Sequence, residues 1–256
     1  LGDDTLIIGT SGRYEFKNKG IDVFLESLNR LNRDKDLKKK VLAFVNVPSW
    51  VGDPREDLQK RLKSKDKFTE PLQCPFITHW LHNMTHDQVL DMLKYLGMGN
   101  RPEDKVKVIF VPCYQDGHDG ILNKHYYDLI LGEDLSVYPS YYEPWGYTPL
   151  ESVAFRVPTI TTDLAGFGLW VNSLKNQHGI DDGVEVLHRS DYNYSEVADG
   201  IKDTVALFST KTEAEIKEIR KRAGQVAEQA LWKHFIKYYY EAYDIALCNA
   251  MKRQLR

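Results

Sequence analysis

The sequence predicts a doubly wound α/β domain: a Rossmann-like parallel sheet of about six strands with helices on both faces, closing with long C-terminal helices. Two observations carry this prediction. Short apolar runs alternate with longer patterns of helical spacing along the first 210 of the 256 residues, and such alternation is typical of doubly wound sheets. The runs are also apolar at consecutive positions, which indicates strands buried on both faces.

The predicted elements alternate in chain order. Strands are predicted at Thr5–Gly9, Val41–Val47, Val106–Pro112, Leu135–Tyr138, Thr159–Thr162 and Val184–Leu187. Helices are predicted at Ile21–Leu31, His86–Leu96, Asn123–Leu131, Pro149–Phe155 and Asp191–Phe208. The charged stretch Asp53–Lys67 is predicted to be a solvated helix or a mobile insertion.

The chain turns all-helical after the sixth strand. Two more helices are predicted at Glu213–Gln229 and Leu231–Met251, so the single domain of residues 1–256 divides into a core of residues 1–210 and C-terminal helices of residues 211–256. The second helix carries large apolar residues at helical spacing, which favours an amphipathic helix docked on the sheet. These residues are Trp232, Phe235, Ile236, Tyr239, Tyr240 and Tyr243.

Composition and charge argue against several classes of partner and predict a cellular setting. A net charge of −3 gives no basis for nucleic acid or an anionic membrane as a partner, and no apolar run approaches the length of a membrane span. Only three cysteines occur, without a C-x-x-C pair, which predicts a cytoplasmic setting without disulfides. The first residue is Leu1 and a strand follows almost at once, so we expect a piece of a longer protein.

The loop after the first predicted strand is rich in glycine and basic residues. It reads GTSGRYEFKNKG over residues 9–20 and holds Arg13, Lys17 and Lys19 before a predicted helix. Glycines let the backbone approach a ligand, a helix N-terminus attracts anions, and Arg and Lys bind phosphate oxygens. The loop is neither G-x-G-x-x-G nor a Walker A motif. It therefore predicts a diphosphate site, with ordinary surface charge as the alternative.

The loop after the fourth predicted strand holds two acids in a stiff aromatic connector. It reads YYEPWGYTPLE over residues 141–151, with Glu143 and Glu151 eight residues apart. Pro149 suits the first turn of a helix, which predicts Thr148 as the N-cap and Glu151 as its capping-box partner. Glu151 therefore has a structural interpretation beside a functional one. Carboxylates next to an anion-binding helix start would match a sugar nucleotide, which carries hydroxyls and phosphates.

Longer stretches carry a family resemblance. YPSYYEPWGYTPLES, followed by VPTITTDLAGFG, resembles the signature of the eukaryotic-type glycogen synthases, which are retaining glucosyltransferases of the two-domain GT-B fold. SGRYEFKNKGIDVFLESLNRLN resembles the motif that opens the C-terminal domain of that family. IFVP with its following loop, LNKHYYDLI and LWKHFIKYYYEAYDIAL match as well, so the resemblance covers nearly the whole chain.

The resemblance implies a reaction. Glucose would pass from a nucleoside diphosphate glucose to the 4-hydroxyl of an α-1,4-glucan with retention of configuration. UDP-glucose is favoured as the donor, and ADP-glucose is the alternative. This chain would be the donor-binding half and inactive in isolation, because the N-terminal domain that takes the α-glucan acceptor is absent. No metal ion or other cofactor is implied.

The resemblance also implies roles for single residues. Arg13 and Lys19 match the basic pair that grips the donor diphosphate and stabilises the leaving group. Glu143 matches the acid that lies against the donor sugar, and these three are the implied catalytic residues. Glu151 matches the acid that takes the ribose hydroxyls. The other implied donor-binding residues are Tyr114 and Tyr126 around the base, with packing as their alternative, and Trp145, Gly146, Tyr147 and Thr148 in the connector and helix start.

Two departures from the family leave its regulation and assembly open. The segment Pro48–Pro75 is short where eukaryotic members carry a long insertion used in tetramer contacts. The stretch Lys211–Arg222 holds only two arginines where those members have an arginine-rich helix that senses glucose-6-phosphate. The tetramer and that regulation are therefore left open, and so is assembly into another homo-oligomer.

Other patterns favour ordinary structure or different functions. His79, His82 and His86 have a metal-like spacing without a fourth ligand, and Asp181–Asp182 favours a plain loop over a metal-binding pair. A Rossmann oxidoreductase or sugar-nucleotide epimerase remains an alternative function, although the glycine fingerprint for a dinucleotide is missing. A non-catalytic nucleotide- or carbohydrate-binding module is a further alternative.

Overall fold

The computed structural model describes residues 2, 4–175 and 177–254 and is built on a six-stranded parallel sheet. The strands are β1 Thr5–Ser11, β2 Lys40–Asn46, β3 Val51–Pro54, β4 His79–Leu81, β5 Val106–Val111, β6 Leu135–Val137, β7 Thr159–Thr162 and β8 Val184–Leu187. The main sheet has the order β5-β2-β1-β6-β7-β8. All six predicted strands are confirmed, each within two residues at either end. Strands β3 and β4 form a separate antiparallel pair, which was not predicted.

Helices follow the strands as the sequence pattern predicts. They are α1 Ile21–Asn32, α2 Glu56–Lys63, α3 Gln88–Tyr95, α4 Tyr126–Leu131, α5 Tyr147–Ala154, α6 Gly166–Asn172, α7 Tyr194–Phe208, α8 Glu213–Gln229 and α9 Trp232–Gln254. Helix α2 lies in the charged stretch and has no buried residue, which confirms the solvated-helix interpretation of that stretch. Helix α6 and a 3₁₀ turn at Ile180–Asp182 were not predicted. The turn is too short for a helical pattern, and α6 contains Gly166 and Gly168, a residue type that disfavours a helix.

Apolar side chains cover both faces of the sheet. One buried cluster joins the strands to α1, α3 and α7 and includes Phe24, Val108 and Phe208, all fully buried. A second cluster lies between α5, α6, β8 and α8 and includes Phe167 and Val171. The sheet is thus buried on both sides, as the continuous apolar runs predicted.

The strand order places a switch point between β1 and β6. From β1 the chain continues to β2 and β5 on one side, whereas β6 begins the half that continues to β7 and β8. The loops that follow β1 and β6 therefore diverge and leave a crevice at the carboxyl edge of the sheet. Both polar loops singled out in the sequence border this crevice.

The C-terminal helix corrects one prediction. Helix α9 was expected to dock on the sheet, but Trp232, Tyr240 and Tyr243 are all more than half exposed. Helical spacing places residues on one face but does not specify what covers that face. No helix in the described part of the chain is both long and apolar enough to cross a membrane. The division at residue 210 falls between α7 and α8. Residues 1, 3, 176 and 255–256 of the predicted domain lie outside the described residues.

One acid is buried in the turn between α4 and β6. Glu133 is 4% exposed, and its Oε2 accepts a hydrogen bond of 2.6 Å from the hydroxyl of Ser136. Burial raises the pKa of the Glu133 carboxyl to about 8. The folded protein therefore keeps a proton here that the unfolded chain releases near the ordinary pKa of 4.5.

This difference predicts that stability falls as pH rises from about 4.5 to about 8, because the folded state binds more protons than the unfolded state across that range. One such proton changes the free energy of unfolding by at most about 1.4 kcal/mol per pH unit. Glu133→Gln keeps an acceptor for Ser136 without the titration, so its melting temperature should fall less with pH. Thermal melts across the range measure this effect.

The exposed Glu213 on α8 provides the control, since Glu213→Gln should leave the pH profile unchanged. A Glu133→Gln profile parallel to that of the wild type would show that Glu133 ionises normally in the folded protein.

Candidate active site at the switch point of the sheet

A cavity of about 520 Å³ lies at the carboxyl ends of β1, β2 and β5 and reaches the start of α5. Its walls come from four loops that are far apart in the sequence. The lining residues that matter here are Ser11, Arg13, Asn46, Tyr114, Gln115, Tyr126 and Thr148. Four of these were predicted as donor-binding or catalytic residues: Arg13, Tyr114, Tyr126 and Thr148. The cavity therefore joins the two polar loops that the sequence singled out.

The loop after β1 presents Arg13 to the cavity. The Arg13 side chain is 75% exposed, and its Nε lies 2.9 Å from a carboxylate oxygen of Glu15. The backbone of Glu15 in turn accepts from the N–H of Lys19 at 2.7 Å, so the loop is a compact turn. Lys17 leaves the site, because its Nζ lies 3.0 Å from the buried Asp22 at the start of α1. The structure thus divides the three basic residues of this loop between two places.

Lys19 and Glu143 meet across the crevice. Lys19 comes from the loop after β1, Glu143 comes from the loop after β6, and their side chains form an ion pair that is largely screened from water, at 13% and 16% exposure. Burial, and then the positive charge of Arg13, lower the pKa of the Lys19 ammonium. The negative charge of Glu15 acts in the opposite direction and raises the pKa of Lys19. Two implied catalytic residues are therefore in direct contact.

The backbone of the connector is paired with a neighbouring segment. The N–H of Glu143 donates to Leu164 at 3.3 Å, and the carbonyl of Glu143 accepts from Gly166 at 3.1 Å. The carbonyl of Trp145 accepts from the N–H of Phe167 at 2.6 Å. These bonds form a short parallel bridge at the carboxyl edge of the sheet. The connector is therefore held by its main chain as well as by its two prolines.

Helix α5 begins two residues earlier than predicted, which corrects the capping-box interpretation. The N-cap is Gly146, at φ 102°, and it has no side-chain cap. Thr148 is therefore the second helical residue, and Glu151 is too far into the helix to be a capping partner. Positive φ is accessible to glycine without strain, and this lets the helix start directly after Trp145. The helix N–H groups of Tyr147 and Thr148 open the first turn, where no partner exists inside the helix.

Trp145 has a different place from the one implied for it. Its indole packs edge-on against Phe167 at 6.0 Å and Phe235 at 5.5 Å, and at a tilt against Trp170 at 5.9 Å. It is absent from the residues that line the cavity. The ring faces α6 and α9 because the connector turns it away from the crevice. Trp145 therefore anchors the connector, and the aromatic cluster links α9 to the site.

Tyr126 belongs to a chain of hydroxyl groups beneath the cavity. Its hydroxyl lies 2.7 Å from Ser11 Oγ, and Ser11 donates to the hydroxyl of Tyr138 at 3.4 Å. The hydroxyl of Tyr138 lies 2.8 Å from Ser152 Oγ on α5. Burial raises the pKa of Tyr126 well above its ordinary value, so the phenol stays protonated. The network ties β1, α4, β6 and α5 together and fixes the Tyr126 ring as a cavity wall.

Glu151 lies on α5 close to Tyr126 and Tyr127 and is not among the residues that line the cavity. One of its carboxylate oxygens accepts from the hydroxyl of Tyr127 at 3.2 Å. Burial raises the pKa of the Glu151 carboxyl, and the hydrogen bond from Tyr127 opposes that rise. The Glu151 charge also raises the pKa of Tyr126, although burial and Tyr138 raise it more. Glu151 is thus a half-buried acceptor beside the Tyr126 wall.

Two implied residues remain open to solvent. Tyr114 lines the cavity and is 79% exposed, and Tyr147 is 72% exposed at the start of α5. Neither ring is fixed by burial, so packing does not explain either residue.

Sequence reasoning missed several cavity residues. Asn46 ends β2, and its Oδ1 accepts from the amide of Gln115 at 2.9 Å, which follows β5. Ligands bind beyond the carboxyl ends of parallel strands, and this rule covers the end of β2 and the loop after β5 as well as the two loops rich in charged residues. The signal for Asn46 and Gln115 was therefore their position at this edge of the sheet.

The histidines with metal-like spacing do not come together. Among the described residues, the one group of potential ligands within 4.8 Å of one another is His79, Cys113 and Asp119. The ring nitrogens of His79 are engaged by Thr78 Oγ1 at 2.9 Å and by the carbonyl of Asp119 at 2.7 Å. The Asp119 carboxylate accepts from backbone N–H groups of the following turn. These contacts explain the group as ordinary structure.

Comparison with solved structures supports the fold. The chain superposes on the pneumococcal O-GlcNAc transferase GtfA, solved in complex with UDP and GlcNAc, with a TM-score of 0.51 over 94% of this chain and 36% of that chain, at 13% identity. This similarity and the architecture described above confirm the predicted fold, one Rossmann-like half of a GT-B fold.

Comparison with known sequences identifies the family. The chain is 28% identical to a glycogen [starch] synthase of Neurospora crassa, over 97% of this chain and 42% of that protein. It is 29% identical to glycogen [starch] synthase isoform 2 of Saccharomyces cerevisiae, over 99% of this chain and 44% of that protein. It therefore spans less than half the length of these relatives. The family profile described as glycogen synthase matches residues 2–60 and 54–256, and the chain belongs to the glycogen synthase family.

Proposed function

We propose that this chain is the donor-binding domain of a glucosyltransferase. The donor is a nucleoside diphosphate glucose, with UDP-glucose favoured, and glucose passes to the 4-hydroxyl of an α-1,4-glucan with retention of configuration. Membership of the glycogen synthase family supports the reaction class. The observation that carries the assignment to this site is the meeting of Arg13, Lys19, Glu143 and the first turn of α5 at one crevice.

The site is matched to a diphosphate by charge and by position. Arg13 and the start of α5 border the same cavity, so phosphate oxygens placed there meet a guanidinium fork and helix N–H groups. Lys19 adds a second cation near Arg13. Together these groups offset negative charge that builds up on the departing diphosphate, which is the main electrostatic demand of the reaction.

Each cation of the site is paired with an acid in the absence of donor. Arg13 contacts Glu15, and Lys19 contacts Glu143. A bound diphosphate competes for both cations, so Lys19 shifts its contact from Glu143 to a phosphate. The carboxylate of Glu143 is then released toward the sugar. Donor binding thereby exchanges one arrangement of ion pairs for another. This exchange limits the desolvation free energy that is lost when a charged ligand enters a half-buried site.

The two acids have different proposed roles. Glu143 lies at the Lys19 end of the crevice, where the hexose of the donor follows the diphosphate. Glu151 lies beside Tyr126, where the ribose follows the diphosphate on the other side. Tyr126 and Tyr114 then flank the base. Trp145, which the resemblance placed at the donor, supports the connector instead.

We further propose that donor binding needs no metal ion, since Arg13, Lys19 and the α5 amides already supply the positive charge. The three cysteines are free thiols, which supports a reducing compartment, and we propose the cytoplasm. The α-glucan acceptor would also contact the part of the protein that this chain does not include. The β1–α1 loop lacks the glycine fingerprint with which a Rossmann-type epimerase or oxidoreductase binds its dinucleotide. Among the described residues, no contact in the site favours either activity.

Arg13→Ala is predicted to weaken UDP binding by about 1.5–3 kcal/mol, the range for a hydrogen bond to a charged group. The loss follows from removal of the guanidinium that faces the cavity. Isothermal titration of the chain with UDP and with ADP measures this change and also tests the preference for uridine.

Arg33→Ala is the matched control, because Arg33 is an exposed arginine at the end of α1 and remote from the cavity. Equal UDP affinity in Arg13→Ala and wild type would show that the diphosphate site is elsewhere. The same titration in excess chelator should leave the affinity unchanged, and a loss restored by magnesium or manganese would overturn the metal-free proposal.

Glu143→Gln and Glu151→Gln should have different effects. Glu143 is proposed to face the hexose, which UDP lacks, so its change to Gln should leave UDP affinity nearly intact while severely lowering glucosyl transfer in the enzyme that carries this domain. Glu151→Gln should weaken the binding of UDP, because the Gln NH2 group, a hydrogen-bond donor, replaces a carboxylate oxygen that would accept a hydrogen bond from the ribose. UDP titration and a transfer assay separate the two variants.

Two results would contradict the different roles proposed for Glu143 and Glu151. If Glu143→Gln lowers only the melting temperature and transfer stays near the wild-type rate, Glu143 is a structural partner of Lys19. If both variants weaken UDP equally, the assignment of one acid to the sugar and the other to the ribose is wrong.

A further inference from the structure

A second cavity of about 180 Å³ adjoins the donor cavity on the side of β3 and β4. Its main lining residues are Tyr14, Ser49, Trp50, Asn83, His86 and Gln88. Tyr14 lines both cavities, so only one side chain separates them. Nothing in the proposed donor chemistry uses this second cavity.

The second cavity has an exposed aromatic platform at its edge. The indole of Trp50 is 73% exposed, and its ring stacks on the imidazole of His82 at 4.7 Å with a tilt of 37°. Backbone bonds fix both residues: the carbonyl of Trp50 accepts from the N–H of His82 at 3.1 Å, and the N–H of Ser49 donates to Pro112 at 2.9 Å. An exposed indole beside a polar cavity offers an apolar face next to hydrogen-bonding groups, which suits a ligand with both kinds of surface.

The polar groups around the platform suit a neutral ligand with many hydroxyls. Within the described residues, no hydrogen bond engages the amide nitrogen of Asn83, the ring of His86, the amide of Gln88 or the hydroxyl of Ser49. Each of these groups pairs well with a hydroxyl. No lysine or arginine lines this cavity in the described part of the chain, so it does not attract phosphate.

The one acid in the wall is already committed. Asp87 accepts from the hydroxyl of Tyr14 at 2.7 Å and from the N–H groups of Val89 and Leu90 at 3.0 Å, as the N-cap of α3. These bonds also hold Tyr14 upright between the two cavities. The wall between them is therefore rigid, and a ligand that crosses it extends from the polar cavity toward the donor sugar.

We propose that Trp50, with His82 beneath it, is a binding platform for an α-1,4-glucan chain, and that the second cavity holds a glucosyl unit of the acceptor. The apolar C–H face of a pyranose ring stacks on an indole, while its rim of hydroxyls meets Ser49, Asn83 and Gln88. This inference rests on the proposed function, because the glucan chain end must reach the donor cavity past Tyr14. It adds an acceptor site to a domain otherwise assigned to the donor.

Maltoheptaose is the probe, titrated into the chain with calorimetry and tryptophan fluorescence as readouts. The wild type should bind it and show a change in fluorescence. Trp50→Ala should raise the Kd about tenfold or more, the loss typical of a central aromatic anchor. Trp50→Phe keeps a smaller ring and should recover part of the affinity. Trp232→Ala, at another exposed tryptophan on α9, should bind like the wild type.

UDP titration of the same variants separates the inference from the proposed function. If Trp50→Ala leaves UDP affinity unchanged, the variant is folded. If Trp50→Ala does not fold, His82→Ala tests the platform independently. A wild type that binds UDP but not maltoheptaose, or a Trp50→Ala that binds maltoheptaose like the wild type, overturns the glucan platform alone. A wild type that binds no nucleoside diphosphate overturns the proposed function, whatever maltoheptaose does.

Discussion

The backbone pairing of residues 143–145 with residues 164–167 is the constraint on which the rest of the site depends. It fixes Glu143 opposite Lys19, and it turns the Trp145 ring into the aromatic cluster. A side chain at Gly166 would collide with the carbonyl of Pro144, so the two segments approach closely only because residue 166 is glycine. Glu143 is therefore held by main-chain bonds in a position that its own side chain does not determine.

This rigidity has an electrostatic consequence. Lys19 and Glu143 bring a cation and an anion into direct contact, so their charges offset each other within the crevice. Because both side chains have low exposure, water screens their interaction less than it screens a surface pair. Charges held in fixed positions act on a developing anion without the reorganisation that water requires.

The sequence pattern predicted the alternating strands and helices, and it missed the features that tertiary contacts determine. The six buried strands and the helices after them follow from runs of apolar residues. The start of α5 was displaced because Gly146, at positive φ, begins the helix before Pro149, and a capping pattern carries no information about that turn. Trp145 was expected at the donor because a sequence gives neighbours along the chain, whereas its ring packs against Phe235 from the last helix. Asn46 was missed although its position after a parallel strand made it predictable.

The segment between β2 and β5 shows how a short insertion acquires a fixed shape. Arg55 is fully buried, and its guanidinium donates to the carbonyls of Gln73 and Cys74 at 2.6 Å. It also lies over the ring of Trp80 at 4.6 Å. Five donors in one rigid fork can satisfy several carbonyls at once.

This single side chain thus organises a stretch with little apolar core of its own. The antiparallel pair of β3 and β4 is closed around it, and that pair carries Trp50 and His82 at its ends. A buried arginine leaves uncompensated carbonyls and charge if its fork is disturbed, so the segment has one well-defined arrangement. The family resemblance located this segment only as a shortened insertion. The contacts of Arg55 give the segment a defined arrangement, and the Trp50 ring next to β3 is exposed.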